Sequence, residues 1–165
     1  MEFQLYERKF KLDGEDLYTF LNRGGSKIER CYKIKLTLIK SGYKTFTFTM
    51  KGKQRNLKFH RVVYYAHNPN WNIYDTSKFN KIDHIDRTTT NNHISNLRVV
   101  TQQENNFNKT CLGYTFHKRI GKYQSQIQLN GKKIHIGYHD TPDEAREAYL
   151  RKKAEVHIIP QRIHN

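Results

Sequence analysis

The stretch KIDHIDRTTTNN, Lys81–Asn92, continues as HISNLRVVTQQENNFNKT, His93–Thr110, and its reading decides the centre of this chain. An Asp-His pair closes a short strand-like piece. A loop of Thr and Asn follows, then a second strand-like piece. Thr101-x-x-Glu104 matches a capping box and predicts a helix from about Gln102 to Asn108. A strand–loop–strand–helix unit can bring an acidic residue, a histidine and several asparagines together. Phosphodiester hydrolysis needs such a set: a base that activates water, a hard cation with oxygen ligands, and a partner that holds the base in its tautomer. Asp83, His84 and the Asn residues can supply these, with His84 near the end of the first strand and Asn96 facing it from the second. Asn105, in the first turn of the helix, can then reach a metal beside Asp83.

The surrounding charge points to a polyanionic partner. Of 165 residues, 30 are Lys or Arg and 15 are Asp or Glu. Residues 1–80 carry a net +9, residues 81–110 a net +1 and residues 111–165 a net +5. Between Glu29 and Asp75 there are ten basic residues and no acidic one. Between Glu104 and Asp140 there are six basic residues and again no acidic one. A polyanion crossing both flanks would pass over a nearly neutral centre, bound through its phosphates. A merely basic soluble protein is the bland alternative. Cys31 and Cys111 form no C-x-x-C pair, so neither a disulfide framework nor a cysteine zinc site is suggested. No apolar leader and no run near 18 apolar residues is present. The expectation is an intracellular protein with no membrane and no small-molecule substrate.

Three modules are expected in an α+β chain: 1–70, 71–110 and 111–165. In the first, apolar and basic residues alternate. Ile34, Leu36 and Leu38 fall on one face, Phe46 and Phe48 on one face of the next strand, with turns at Ser41-Gly42 and Lys51-Gly52-Lys53. This reads as an antiparallel meander, followed by a short helix over His60–Ala66 and a loop over residues 70–80. The last module reads as strands at Tyr114–Arg119, Tyr123–Leu129 and Lys133–Tyr138, with an Asn130-Gly131 hairpin. A helix opens at Thr141-Pro142-Asp143-Glu144. One face of its sheet carries Tyr123, Ser125, Ile127, Leu129, Ile134, Ile136 and Tyr138, covered by Ala145, Ala148 and Tyr149. The other carries Gln124, Gln126, Gln128, Lys133 and His135. Glutamine can pair with adenine and lysine with guanine or phosphate, although a wet sheet face is polar for simpler reasons. The terminal PQRIHN is expected to fray.

Two family resemblances sharpen these readings. Gly113–Tyr149 resembles the APETALA-type (ethylene-response-factor) DNA-binding domain through its Gly-aromatic start, Lys122-Tyr123, Asn130-Gly131-Lys132, Ile136-Gly137-Tyr138, Asp140-Thr141-Pro142 and Ala148-Tyr149. The resemblance implies that its sheet docks in the major groove. Gln124, Gln126 and Tyr123 stand where that family commonly has arginines and tryptophans, so its base preference does not carry over. Asp83-His84-Ile85-Asp86, Asn91-Asn92, Ser95-Asn96-Leu97-Arg98 and Glu104-Asn105 resemble the HNH nucleases and their ββα-metal motif. The phage and intron homing endonucleases of that family are the most similar group, and Gly42-Tyr43 and His60-Arg61-Val62-Val63 match their N-terminal segment.

The resemblance implies a site-specific, metal-dependent DNA endonuclease acting inside a host cell, in its cytoplasm. His84 is then the general base and Asn96 the residue that orients it, through backbone or side chain. Asp83 is a metal ligand, and Asn105 the last-position ligand, with Asn106 its competitor. Asn105 in place of a histidine favours Mg2+ or Mn2+ over zinc. Products would carry 5′-phosphate and 3′-hydroxyl groups. One centre per chain implies nicking by a monomer on double-stranded DNA, or a double-strand break by a dimer or by successive nicks. The residues assigned to DNA are Lys44, Lys51, Arg55 and Arg61 in the first module. In the last they are Lys118, Arg119 and Lys122, together with Gln124, Gln126, Gln128, Lys133 and His135.

Plainer roles stay open. Asp83 can pair with Lys81 or Arg87, Asp86 reads as a turn residue, Asn91 and Asn92 as loop-shapers. His60 either approaches DNA or supports its module. A DNA-binding regulator with an inactive HNH remnant is the competing function, and an RNA-binding protein the third.

Overall fold

The computed structural model describes residues 1–22 and 28–160. The end of the tail expected to fray, residues 161–165, lies outside them. The fold is α+β, with antiparallel sheets and three α-helices among the described residues. The chain divides into two compact units, Met1–Val99 and residues 100–160.

In the first unit, β1 (Glu2–Leu5), β2 (Arg8–Asp13), β3 (Asp16–Leu21) and β4 (Arg30–Lys33) form an antiparallel sheet in chain order. The first turn uses Tyr6 and Glu7, both at positive φ, so the usual Gly or Asn marker is missing there. A second sheet joins β5 (Thr37–Leu38), β6 (Lys44–Met50) and β7 (Lys53–Lys58). The expected long strand through Ile34–Leu38 does not form. Ile34 and Leu36 still pack against the core, but Leu38 is exposed on a two-residue strand.

Phe10, Phe46, Phe59, Leu5, Leu17 and Val62 are fully buried. Burying each such side chain contributes about 1.5–3 kcal/mol, and the ring of Phe10 meets those of Phe46 and Phe48 edge-on. Helix α1 (Phe59–His67) buries Phe59, His60, Val62, Val63, Tyr64 and Ala66 against this core. The core extends through Trp71 and Ile73 to β8 (Lys81–His84) and β9 (Leu97–Val100), a two-stranded sheet. Between them run the Thr-Asn loop and a 3-10 turn, Ile94–Asn96. Asn96 therefore closes a turn instead of riding on the second strand.

The second unit begins with α2 (Gln102–Phe107), whose capping box is complete: Thr101 Oγ1 accepts from Glu104 N, and the Glu104 carboxylate accepts from Thr101 N. Then come β10 (Tyr114–His117), β11 (Lys122–Leu129) and β12 (Lys132–His139), a three-stranded antiparallel sheet, and α3 (Pro142–Val156). Asn130 and Gly131, at φ 52° and 76°, make the expected two-residue hairpin. Ala145, Ala148 and Tyr149 of α3 are buried on the apolar face with Ser125 and Ile127. Gly113 is fixed by this packing. Its φ is 81°, and a Cβ there would stand 2.0 Å from the Tyr149 ring.

One register detail changes the reading of the sheet. Gln124 pairs with Tyr138 and Ser125 with Gly137, but Gln126 pairs with His135. Ile136 is the extra residue of a β-bulge, and past a bulge the alternation of faces reverses. Tyr138 therefore leaves the apolar face. It is exposed beside His135 and His117, with ring centroids 4.8 and 5.8 Å away.

Candidate active site

His84 ends β8, and the chain must turn there because Arg87 N donates back to His84 O at 2.9 Å. The imidazole is buried, and its Nε2 lies 3.1 Å from Asn92 Oδ1. Two rings border it: Tyr43 at 5.9 Å and His60 at 5.0 Å, the latter edge-on. Tyr43 also faces His60 at 5.0 Å and carries Lys58 Nζ over its ring at 4.4 Å. The Gly42-Tyr43 and His60-Arg61 segments, far apart in sequence, thus converge on His84. Thr89 Oγ1 donates to Gly42 O at 2.7 Å and ties the Thr-Asn loop to the same turn. A Cβ on Gly42 would meet that hydroxyl at 2.7 Å.

His60 supports its module from inside. Burial, first, and then the neighbouring His84, Lys58 and Arg61 push its pKa down to about 2, so it is neutral at ordinary pH. Its Nδ1 is buried without a hydrogen-bond partner among the described residues.

Asp83 precedes His84 on β8 and is also buried. Its Oδ2 accepts from both Nε and an Nη of Arg98, at 2.9 and 2.8 Å. This ion pair with Arg98 runs across the two-stranded sheet. A carboxylate is a hard ligand suited to Mg2+, which is commonly held by one or two carboxylates together with substrate phosphates. Among the described residues, no group of three or more His, Cys, Asp or Glu side chains could hold a metal ion. Any ion here would therefore depend on amide and phosphate oxygens, and an all-oxygen donor set of this kind fits a hard divalent cation.

Asn96 works on the loop. Its Nδ2 donates to Asp86 Oδ1 and Asn91 O, both at 2.9 Å, and its Oδ1 accepts from Asp86 N at 3.0 Å. Its backbone oxygen accepts from Ile85 N at 2.9 Å. The side chain that reaches the imidazole is Asn92, which the sequence marks only as a loop-shaper. Asp86 is more than a turn residue. Donors from the Asn91 side chain and Thr88 N, at 2.7 Å each, and from Asn96 hold its carboxyl down at about 2.

Asn105 lies in the second unit, on the first turn of α2. Its side chain makes no hydrogen bond to a described residue, whereas Asn106 Oδ1 accepts from Gln102 Nε2 at 3.3 Å.

The residues assigned to DNA divide. Arg61 turns inward. It is half-buried, donates to Ile73 O, Asp75 O and Asn80 O at 2.7–3.1 Å, and stacks over Trp71 at 4.7 Å. Its guanidinium holds the 71–80 loop. Lys44 and Lys51 pair with Glu15 and Glu7, and Arg55 lies over the Tyr6 ring at 5.0 Å. In the second unit Lys118 and Arg119 are exposed in the β10–β11 turn, and Lys122 pairs with Asp140. Gln124, Gln126, Gln128, Lys133 and His135 share one sheet face. Gln124 Nε2 and His135 Nδ1 there are 3.2 Å apart. Tyr138 joins that face, and the Gly137 beside the bulge is the signal that could have announced it.

Residues 57–107, which include this strand–loop–strand with its buried Asp-His pair, match the family model described as HNH endonuclease. Among solved structures, the chain is similar to one described as "DNA binding and cleavage by the HNH homing endonuclease I-HmuI", at 24% identity and a TM-score of 0.43. That match covers 61% of this chain, which spans half of that structure's chain. No curated protein matches.

Proposed function

We propose that this chain is a site-specific, metal-dependent DNA endonuclease of the homing type that nicks or breaks double-stranded DNA inside a host cell. One observation carries the reading. The segment matching the HNH endonuclease family spans Asp83, His84, Asn96 and Asn105, and in it His84 is held in place by Asn92 and two neighbouring rings. His84 takes a proton from a water molecule, and the resulting hydroxide attacks phosphorus in line with the departing 3′ oxygen. Asp83 and Asn105 would hold Mg2+ or Mn2+, which supplies stabilisation of the charge on the phosphate and the leaving oxygen. The Asn105 amide makes no hydrogen bond to a described residue, whereas that of Asn106 is engaged, and this difference supports that choice of ligand.

The same proposal assigns three functional modules, 1–70, 71–110 and 111–165, with DNA held by the outer two. The strand-rich basic flank presents Lys44, Lys51 and Arg55. The APETALA-like module presents its Gln, Lys and His face to the major groove, a shape the groove admits. A monomer would cut one strand per encounter.

The clamp of Arg98 on Asp83 favours a second reading, because a guanidinium already neutralises the carboxylate that a cation needs. A DNA-binding regulator with an inactive centre would look the same. Plasmid nicking with Mg2+ or Mn2+ separates the two. We expect cutting by the wild type, none after EDTA treatment, and none from His84→Ala with DNA binding retained. A wild type that binds duplex DNA and never cuts it would leave the regulator.

A further inference from the structure

We propose that His157, at the C-terminal end of α3, is a positioning residue for Asn105: it seats the helix that carries this amide on the open edge of the β10–β12 sheet. The seat follows from packing within the second unit; its consequence for a metal ion rests on the nuclease reading above.

Helix α2 has six residues. Isolated helices that short are not stable in water, so tertiary contacts must set its direction. Phe107 is its one buried residue. The Phe107 ring lies flat on that of His157, with centroids 3.9 Å apart and planes 11° from parallel. His157 caps α3, its N donating to Lys153 O at 2.9 Å, and its Nε2 lies 3.1 Å from Gln128 O. A carbonyl oxygen only accepts, so Nε2 carries the hydrogen and donates. That carbonyl belongs to a part of β11 that β10 does not reach. β10 pairs with Lys122–Ser125, Gln126 N still donates to Gly113 O at 3.1 Å, and no described strand continues this edge. An open edge leaves backbone groups unpaired. His157 closes this one and presents its ring face to α2.

A second tie lies on the same helix face. Gln103 stands one turn before Phe107, and its Nε2 donates to Asn130 Oδ1 at 2.8 Å. Just past the helix, Lys153 Nζ donates to Lys109 O at 3.1 Å. Asn105 is midway between Gln103 and Phe107 in sequence, about 200° around the helix axis from either. With those two held against the sheet module, Asn105 is fixed on the opposite face. The sheet proposed to read DNA and the proposed metal ligand therefore belong to one packed unit, and the imidazole is the joint between them. Loosening that joint misplaces the ligand oxygen and leaves the polar sheet face as it is.

The test is amide hydrogen exchange followed by 1H–15N NMR on the full-length protein, with Mn2+ titrated into each sample and plasmid nicking measured beside it. Wild type, His157→Ala, His157→Phe and Gln103→Ala are compared. The Asn105 side-chain amide is assigned by its loss in Asn105→Asp. We expect His157→Ala to speed exchange at Asn105 N while amides of β11 and β12 keep their wild-type rates. The Mn2+ concentration that broadens the Asn105 side-chain signal, and the one that half-saturates nicking, should both rise roughly 10-fold, with KM for duplex DNA little changed. His157→Phe keeps the stacked ring and should stay close to wild type. Gln103→Ala removes the exposed tie and should shift exchange and Mn2+ requirement the same way by less; it decides alone if His157→Ala fails to fold. Wild-type exchange at Asn105 N in both alanine variants overturns the proposal. So does a loosened helix whose Mn2+ requirement equals that of a wild type that responds to the ion. If exchange behaves as expected and no protein, wild type included, cuts DNA or responds to Mn2+, the seat on His157 stands and the nuclease reading falls.

Discussion

Arg98 holds Asp83 through two nitrogens on a single carboxylate oxygen, at 2.9 and 2.8 Å, fifteen positions away along the chain. Asp83 is almost wholly shielded, while the Arg98 side chain keeps about a fifth of its exposure. The pair fixes β8 against β9 and neutralises the carboxylate that precedes His84 in the chain.

Removing the guanidinium takes two charge-assisted hydrogen bonds from a buried carboxylate. We expect Arg98→Ala to destabilise the first unit by about 3 kcal/mol, read as a lower urea midpoint at unchanged slope. Asp83→Asn should cost less stability and abolish metal-dependent nicking. A stable Arg98→Ala protein would mean that the carboxylate finds another partner.

His60 should make the fold acid-sensitive well above the carboxylate range. The unfolded chain takes up a proton on this histidine near pH 6.5, whereas the folded one holds it neutral down to about 2. Unfolded chains then bind more protons below pH 6.5, so stability falls as pH falls, by about 1.4 kcal/mol per unit. Urea melts at pH 7.5, 6.5 and 5.5 measure this, and His60→Phe should flatten the slope. An unchanged slope in that variant would place the sensitivity elsewhere.

Asp86 acts in a lower window. Its carboxyl is ionised in the folded loop down to about 2 against an ordinary 3.8, so its stabilisation is present above pH 4 and is lost as pH drops through that interval. Hydrogen exchange at Thr88 N reports on it directly. We expect faster exchange in Asp86→Asn at pH 6, with the difference from wild type shrinking toward pH 2–3.

On the face proposed to meet DNA, Tyr138 should matter as much as the glutamines. Tyr138→Ala removes an exposed ring from the sheet face without touching the buried one, so we expect weaker duplex binding with an unchanged melting temperature. Lys133→Ala should reduce the salt slope of binding by about one. Wild-type affinity in Tyr138→Ala would take the ring out of the interface.

Much of the fold was legible because it is written locally. The Thr101 and Thr141 capping boxes and the Asn130-Gly131 turn each involve groups within four residues, and all formed where expected. Other features had no local mark. The Tyr6-Glu7 turn lacks Gly and Asn, and Ile34–Leu38 alternates like a strand that does not form.

By itself the sequence determined the order strand, Asn-rich loop, strand and capped helix, the basic flanks, and the placing of His84 at a strand end beside Asp83. Only the tertiary structure decided what those side chains touch. The β8–β9 pairing brings Arg98 to Asp83, the path of the loop carries Asn92 to His84, and the packing of α1 turns Arg61 inward. A single bulge at Ile136 moves Tyr138 to the polar face. Periodicity and caps depend on neighbours along the chain, whereas register, bulges and side-chain partners depend on residues that only folding makes adjacent.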